Sequence, residues 1–358
     1  MRAIAGIIAL ALLGSLPLAS ALEPVVVSTA DPVMQTEFAL NGTDPSVGAP
    51  EECEEWLGEE YGYGSPCSQW WCQSWYVRIE AMVLQRTRGG RDRVIVESDA
   101  GTPLLTSGSF TFDLEPGASV LLGHRLDSVS AWELLYFGAQ QWNQTQSIAS
   151  LNNLDLPDPL GSVADDFNNA DIFAVTYQSH LNNAELNYLR DAEGVSWLIG
   201  FRYLNWEESL RLSATDNDSD VSAYQLGTSN NLLGVQIGGR ATHRGYRWDW
   251  ELTGKAGIFG NEVVQNQSLF DNDSTTVLRN VSVKTSGAAF VGDVNLSAHC
   301  RLNDMWSLRA GYSLIGITNL ALAPNQLDFG SGPNSGRGVD RNGSILLHGL
   351  NVGVEALW

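Results

Sequence analysis

From Ile345 to Trp358 the chain reads I-L-L-H-G-L-N-V-G-V-E-A-L-W, and its positions alternate. Leu350, Val352, Val354, Ala356 and Trp358 form one apolar set. Gly349, Asn351, Gly353 and Glu355 form the other, with Leu357 its exception. Successive side chains of a strand point to opposite faces, so this stretch predicts a strand greasy on one side and polar on the other. Its apolar face is about one bilayer core long and ends on an aromatic, as in the closing strand of an outer-membrane barrel. A strand half buried in a soluble sandwich would alternate in the same way, so the rest of the chain has to decide.

The same alternation recurs. Trp75, Val77, Ile79, Ala81 and Val83 oppose Tyr76, Arg78, Glu80, Leu84 and Arg86. Trp197, Ile199, Phe201 and Tyr203 oppose Gly200 and Arg202, and Leu233, Val235 and Ile237 oppose Gln236 and Arg240. Trp248, Trp250, Leu252, Ala256 and Ile258 oppose Asp249, Glu251, Thr253 and Lys255. Phe290, Val294, Leu296 and Ala298 oppose Asp293, Asn295, Ser297 and His299; Trp306, Leu308, Ala310, Tyr312 and Leu314 oppose Ser307, Arg309, Gly311 and Ser313. None of these stretches has the 3.6-residue period of a helix. Weaker strands fall at Ser119–Leu126, Ser130–Phe137 and Ala184–Arg190, and in the second of them Glu133 shares its parity with Leu135 and Phe137, which leaves its face open. The total is ten, an even number as closed single-chain barrels use, with ten to twelve the expected range.

The connections alternate as well. Long ones cover about 87–118, 138–183, 208–231, 259–288 and 316–344; short ones lie near Asp127-Ser128, Asp191 to Gly194, His243 to Gly245 and Asn303-Asp304. Outer-membrane barrels have short periplasmic turns and longer outer loops. The expected fold is therefore all-β: a closed antiparallel transmembrane β-barrel.

Composition changes the picture at the N-terminus. Met1-Arg2, the apolar run Ala3 to Leu18 and Ala19-Ser20-Ala21 read as a secretory signal peptide over 1–21. No later stretch reaches the roughly 18 uninterrupted apolar residues of a spanning helix. Residues 22–74 carry ten Asp or Glu and no Lys or Arg, the composition of a disordered acidic extension, placed in the periplasm ahead of a barrel over 75–358. The formal charge of −21, or −22 once Arg2 leaves with the leader, argues against nucleic acid as a partner. Cys53, Cys67 and Cys72 cluster in the extension and Cys300 stands apart; an exported chain permits a disulfide, and the pairing stays open. Metal-site spacing is absent, and no cofactor is implied.

Trp75 to Ala81, Trp132 to Gly138, Gly200 to Leu204, Gly234 to Gly238, Gly254 to Gly257 and Gly311-Tyr312-Ser313 leading to Leu322-Ala323-Pro324-Asn325-Gln326 come in an order and spacing that suggest a family. Over about 75–358 the chain resembles the planctomycete outer-membrane β-barrel porin family, the seventh so named. The resemblance implies an outer-membrane barrel; it implies no particular solute and brings no catalytic residues.

The candidate chemistry lies inside. Arg78, Glu80, Arg202, Gln236, Arg240, Asp249, Glu251, Lys255, Asp293, Asn295, Arg309 and Glu355 fall on the inward parity. That placement is nearly forced, because Arg or Lys on the lipid face at mid-bilayer costs about 2–4 kcal/mol. They form either a selectivity lining or, with mixed signs in a narrow interior, a salt-bridged plug. Trp358 is the candidate assembly signal, through which the closing strand would meet the barrel-assembly machinery. Asp216, Asp218, Asp220, Asp271 and Asp273 make oxygen-rich loops, candidates for weak Ca2+ binding, although Val221 stands where an EF-hand loop needs Gly. An enzyme reading has only His180, with Asp165, Asp166 and Asp171 in the same expected outer loop, and no catalytic motif. The expected function is a narrow porin-like pore for ions or small solutes, or a structural envelope component; surface binding through the acidic outer loops is the alternative, and hydrolysis ranks below both.

Overall fold

The computed structural model describes residues 74–358, apart from 158, 161–166, 193, 217–220 and 271–276. The expected leader, the acidic extension and Cys53, Cys67 and Cys72 lie outside the described residues. Twelve strands follow one another: β1 (Trp75–Arg86), β2 (Val94–Ser98), β3 (Pro103–Thr106), β4 (Glu115–Arg125), β5 (Ser130–Asp155), β6 (Ala170–Ala192), β7 (Val195–Thr215), β8 (Val221–Arg244), β9 (Trp248–Phe270), β10 (Val277–Arg301), β11 (Trp306–Leu320) and β12 (Gly343–Leu357). β1 and β4 to β12 pair antiparallel with their neighbours around a closed ring of ten, which β5–β6 and β1–β12 pairing completes. The ring strands correspond one for one to those read from the alternation. β2 and β3 form a hairpin in the first outer connection and hang on the tip of β5.

Closure leaves no free edge at the level of the belt, so backbone groups there bond strand to strand, as a hydrocarbon environment demands. At the seam the backbone N–H groups of Trp75 and Trp358 each donate to the other's carbonyl at 2.9 Å. The outward faces carry an apolar belt. At its lower margin, beside the short turns, the exposed indoles of Trp75, Trp132, Trp197, Trp248, Trp250, Trp306 and Trp358 face out. Nearer the other margin come tyrosines whose hydroxyls are anchored on the next strand: Tyr136 to Asn182 at 2.9 Å, Tyr203 to Asn231 at 2.8 Å and Tyr312 with His348 at 2.8 Å. Amphipathic rings suit a boundary that is apolar on one side and wet on the other.

Above the belt both faces change character. On β7 the outward residues run Trp197, Ile199, Phe201, Tyr203 and then Asn205, Glu207, Ser209, Arg211. The inward residues run Gly200, Arg202 and then Leu204, Trp206, with Leu210 and Leu212 further up, all buried. β6, β8 and β9 reverse in the same way. Inside the bilayer the outside is oil and the interior holds charge. Outside the bilayer the surroundings are water and the interior is a dry core. On β5 the reversal coincides with a register shift between Gly138 and Gln140, so that Glu133 and Phe137 point inward below it and Gln140 and Trp142 above it.

Much of what the sequence pattern assigns to outer connections is therefore strand that continues above the belt. β5 runs on to Asp155 and β6 starts at Ala170, while β7–β8 and β9–β10 are joined across only 216–220 and 271–276. His180 and Asp171 sit within β6 rather than in a loop, and His180 faces outward opposite Glu207 of β7. Two genuine loops, 87–114 and 321–342, lie over the short strands β1, β4, β11 and β12.

Placement of the belt has a direct test. Ile258 and Asn266 share the outward face of β9, eight positions apart. Ile258→Arg is expected to abolish assembly into a heat-modifiable barrel, at a cost of about 2–4 kcal/mol. Asn266→Arg, above the belt, is expected to assemble like the parent; equal yields for the two would misplace the outer boundary.

Candidate functional site: a lumen closed at two levels

All twelve lumen candidates lie on inward faces, and eleven of them meet in a cross-lumen lattice. Its lower layer centres on two carboxylates. Both terminal guanidinium nitrogens of Arg240 donate to the two oxygens of Glu133 at 2.8 Å, and the Tyr76 hydroxyl donates to the same carboxylate at 2.8 Å. Glu251 lies 3.1 Å from Arg309, 3.7 Å from Arg240 and 3.9 Å from Arg78. Arg309 also reaches Glu80 at 3.1 Å and Asn295 at 2.7 Å, Asn351 donates to Glu80 at 2.8 Å, and Glu355 flanks Arg78 at 3.8 Å. β1, β5, β8, β9, β11 and β12 are thus tied across the interior.

The upper layer is built on Glu185 of β6, which is completely buried. It accepts from Lys255 and Gln236 at 2.8 Å and from Asn183 and Asn187 at 3.1 Å, with Arg202 at 3.5 Å. Arg202 and Lys255 close the set on Asp293 at 2.5 and 3.5 Å. The two layers hold five cations (Arg78, Arg202, Arg240, Lys255, Arg309) and six carboxylates (Glu80, Glu133, Glu185, Glu251, Asp293, Glu355), so 5 − 6 leaves one formal negative charge. Between them remains a cavity of about 80 Å³, lined by Arg78, Lys255, Asp293 and Arg309 among others. That is room for only a few waters. Asp249 stands apart at the lower end, 3.1 Å from Arg301.

A second closure lies above the lattice. Arg86, at the top of β1, is buried in an aromatic nest, its guanidinium carbon 4.2 Å from the ring centre of Phe112 and 5.1 Å from those of Tyr177 and Trp206. It donates to Glu208 at 2.9 Å, to Ser179 at 2.6 Å and to the Tyr177 hydroxyl at 3.1 Å. A buried guanidinium is tolerated only when paired and hydrogen-bonded, and here every direction is filled. The other oxygen of Glu208 accepts the backbone N–H of Ala323 at 2.7 Å. Ala323 belongs to a 3-10 turn, Ala323–Gln326, within a run 321–327 that is buried throughout.

Inward amides of β8 and β9 receive the backbone of this loop. Asn230 donates to Ala321 O at 3.0 Å and accepts from Ala321 N at 2.8 Å. Asn261 donates to Asn319 O at 3.1 Å, Gln267 to Gln326 O at 3.0 Å and Gln265 to Gly336 O at 2.9 Å. Each such bond is worth about 1 kcal/mol net, and losing the loop would leave several buried polar groups without partners. Further along, Asp328 accepts the N–H of Gly330 at 2.9 Å and of Gly336 at 2.6 Å. Partial burial acts to raise the Asp328 carboxyl; those two N–H groups and Arg279 outweigh it and hold it below the usual carboxylate range.

Sequence reasoning missed Glu133, Glu185, Asn183, Asn187, Asn351 and Tyr76. The parity of β6 places Glu185 opposite Ala184 and Leu186, and so contains a usable signal. Glu133 had none, because its inward neighbours Leu135 and Phe137 are apolar. Trp358 pairs with Trp75, Asp216 directly follows β7, and Asp218, Asp220, Asp271 and Asp273 lie outside the described residues, as do Asp165 and Asp166. Among the described residues no three His, Cys, Asp or Glu side chains converge as a metal site, and Cys300 is a free thiol on the outward face of β10.

Two outcomes follow. Glu185→Leu leaves Lys255 and Arg202 with Asp293 as their one carboxylate and is expected to destabilise the refolded barrel by about 3–5 kcal/mol in urea titration. Glu185→Leu with Lys255→Met should recover part of that loss; strictly additive effects would show that the two charges do not depend on each other. Because the Asp328 carboxyl is depressed, its stabilising contribution is present above the ordinary carboxylate pKa and is lost only as pH falls through the lower folded value. Hydrogen exchange at Gly330 and Gly336 should therefore show the same protection at pH 7 and pH 5 relative to intrinsic rates, and lose it at more acid pH; loss already at pH 5 would contradict the assignment.

No curated protein matches the chain. Among solved structures it is similar to the outer membrane protease OmpT from Escherichia coli, at 11% identity over 84% of this chain and 99% of that one, with a TM-score of 0.44. The translocator domain of the autotransporter NalP from Neisseria meningitidis follows at 11% identity, 79% and 88% coverage and a TM-score of 0.37. A major outer membrane protein from Thermus thermophilus gives 11%, 80%, 100% and 0.28. Likeness at that level carries nothing about activity. The family model described as "Putative beta barrel porin-7 (BBP7)" matches residues 96–358, from the outer hairpin to the last strand. With its ring of ten strands, apolar belt and charged interior, the chain is an outer-membrane β-barrel and belongs to the beta barrel porin-7 family.

Proposed function

We propose that this porin-family barrel is a closed structural component of the outer membrane rather than an open channel. The observation that carries the reading is the double filling of the lumen: charges paired across it within the belt, and the 321–327 loop seated on buried amides above it. A solute path would have to break several ion pairs in a low dielectric and also strip the loop from its partners. Removing one member of a buried pair alone costs about 3–5 kcal/mol. Eleven of the twelve inward residues named from the sequence, all but Asp249, then act with Glu133 and Glu185 as cross-braces of the barrel wall.

We read the protein as a non-enzyme as well. His180 and His348 face outward on β6 and β12, and His299 meets Ser297 at 3.4 Å beneath the lattice, at the turn end of the lumen. A periplasmic position for the acidic extension is part of the same reading, and the start of β1 on the side of the short turns supports it.

Single-channel recording on protein shown to be folded by heat-modifiable migration tests the reading. No stable conductance steps are expected, and none after residues 321–327 are replaced by a Gly-Ser linker, since the charge lattice remains. Reproducible ion-selective steps in the parent would sink the closed reading and restore the narrow pore, with Arg78, Arg202, Lys255 and Glu355 the first lining residues to change.

A further inference from the structure

The ring is without edges only within the belt. β1, β4, β11 and β12 go no higher than Arg86, Glu115, Leu320 and Gly343, so β5 to β10 continue upward as a wall with two edges. At the β5 edge the chain supplies its own cover: β2 pairs with the tip, Glu97 opposite Asp155 and Ser98 opposite Leu154. At the β10 edge, pairing with β11 stops at Phe290, opposite Thr318, while pairing with β9 runs on to Val277. The carbonyls of Phe290, Ala288 and Ser286 point to the β11 side, accepting from Thr318 Oγ1 at 3.5 Å, Asn319 Nδ2 at 3.1 Å and the Arg341 guanidinium. In an antiparallel strand the N–H and C=O of one residue point the same way, so Asn280, Ser282 and Lys284 present theirs on that side too. Among the described residues these backbone groups have no hydrogen-bond partner.

The side chains along this edge are incompletely covered as well. Val281 and Val283 face inward but are only half-buried, whereas their ladder partners on β9, Gln267 and Gln265, are buried beneath the seated loop. The loop thus covers β9 and leaves the inner face of β10 partly open. Proteins blunt exposed edges with short strands, Pro, bulges or several charges. From Arg279 to Cys300, β10 has no Pro and no register shift against β9. Lys284 is the one charge on its outward face above the belt. The open stretch, 280–288, is roughly 25–30 Å long.

We propose that the upper edge of β10 takes up an extended segment of another polypeptide as an added strand of the wall. A row of bare backbone donors and acceptors is matched by another extended backbone, and the period of two sets what that backbone carries. Every second residue of the segment faces Val281 and Val283 and is apolar. The residues between face water beside Lys284, which forms no ion pair among the described residues; Glu262 of β9 stands opposite Ser286, two positions along. Segment 277–289 has no carboxylate, so an acidic residue suits the place beside Lys284. A second barrel in the same membrane does not fit the edge. A two-fold axis along the membrane normal would set the two β10 strands parallel and crossed by about twice their tilt of roughly 35–45°. The extension ahead of β1 leaves from the opposite rim. The edge does not depend on whether the lumen conducts.

Hydrogen exchange and peptide titration on the folded full-length protein in uncharged detergent test the edge. In the free protein the amides of Ser282 and Lys284 should exchange near their intrinsic rates, while those of Val281 and Val283, bonded to β9, are protected. The probe is a fluorescent peptide of alternating Val and Glu, about twelve residues long to match the edge. Saturable binding is expected, with protection appearing at Ser282 and Lys284. Ser282→Pro removes an N–H that the β9 ladder does not use, and should weaken binding about tenfold in a barrel that still migrates as folded. Lys284→Glu should weaken it about threefold. The same peptide N-methylated along one edge, unchanged in charge, should not bind. The last two comparisons keep the test independent of whether Ser282→Pro folds. Protection of Ser282 and Lys284 before peptide is added, absence of saturable binding, or equal binding of the N-methylated peptide would overturn the proposal.

Discussion

A closed ring of ten strands in a bilayer forces every charge in the belt into a lumen scarcely wider than the side chains it holds. Lipid excludes those charges from the outside, and the interior is too narrow to hydrate them singly. They can persist only by satisfying one another. Much else follows from that constraint. Glu251 serves three arginines from three different strands, and Glu185 is completed by Lys255, Arg202 and a collar of amides. These pairs cross-link the wall through its centre, where a soluble protein would have an apolar core. Their net contribution to stability is modest, because desolvation offsets much of the attraction, but the loss of any one partner is costly. The lattice therefore fixes how the strands sit more firmly than it stabilises them.

Where the strands leave the bilayer the solvent changes on one side only, and both faces respond. The outside becomes polar, and the inside becomes a dry apolar core of Trp142, Trp206, Tyr177 and Phe173 with the loop residues Phe110, Phe112 and Leu322. Among the described residues no α-helix or second sheet caps that core. The capping element is an irregular loop, and irregular backbone in a dry interior must find partners for its N–H and C=O groups. Asn230, Asn261, Gln265 and Gln267 supply them. Arg86 and Glu208 sit at the junction, joining the top of the membrane-spanning strand β1, the upper wall and the seated loop in one buried pair.

Particular residues show how far the letters reached. Trp197 to Tyr203 alternate plainly enough to define a strand and its lipid face. The continuation, Leu204 to Leu212, alternates just as plainly with the phase reversed, and a reversed phase reads as the end of a strand unless the change of solvent is known. Glu133 has its inward side obscured for another reason: its inward neighbours Leu135 and Phe137 are apolar although they stand at the level of the charge lattice, Leu135 directly across from Glu185. The register shift at Gly138 and Gln140 leaves no mark in the composition, and an extra residue there is enough to invert the parity of everything above it.

The sequence by itself determined the ring, its order, the belt and twelve of the residues that point inward. All of these depend on a period of two along each strand and on the length of each turn, and both are local properties. Which charge meets which across the lumen was decided only by the tertiary structure. So was the seating of Leu322 to Gln326, a stretch that in the letters is a family motif of no evident purpose. Partners such as Glu133 and Arg240, or Ala323 and Glu208, lie about a hundred positions apart. Their meeting depends on how the closed ring is staggered and on how two loops fill its mouth, and no local period encodes either.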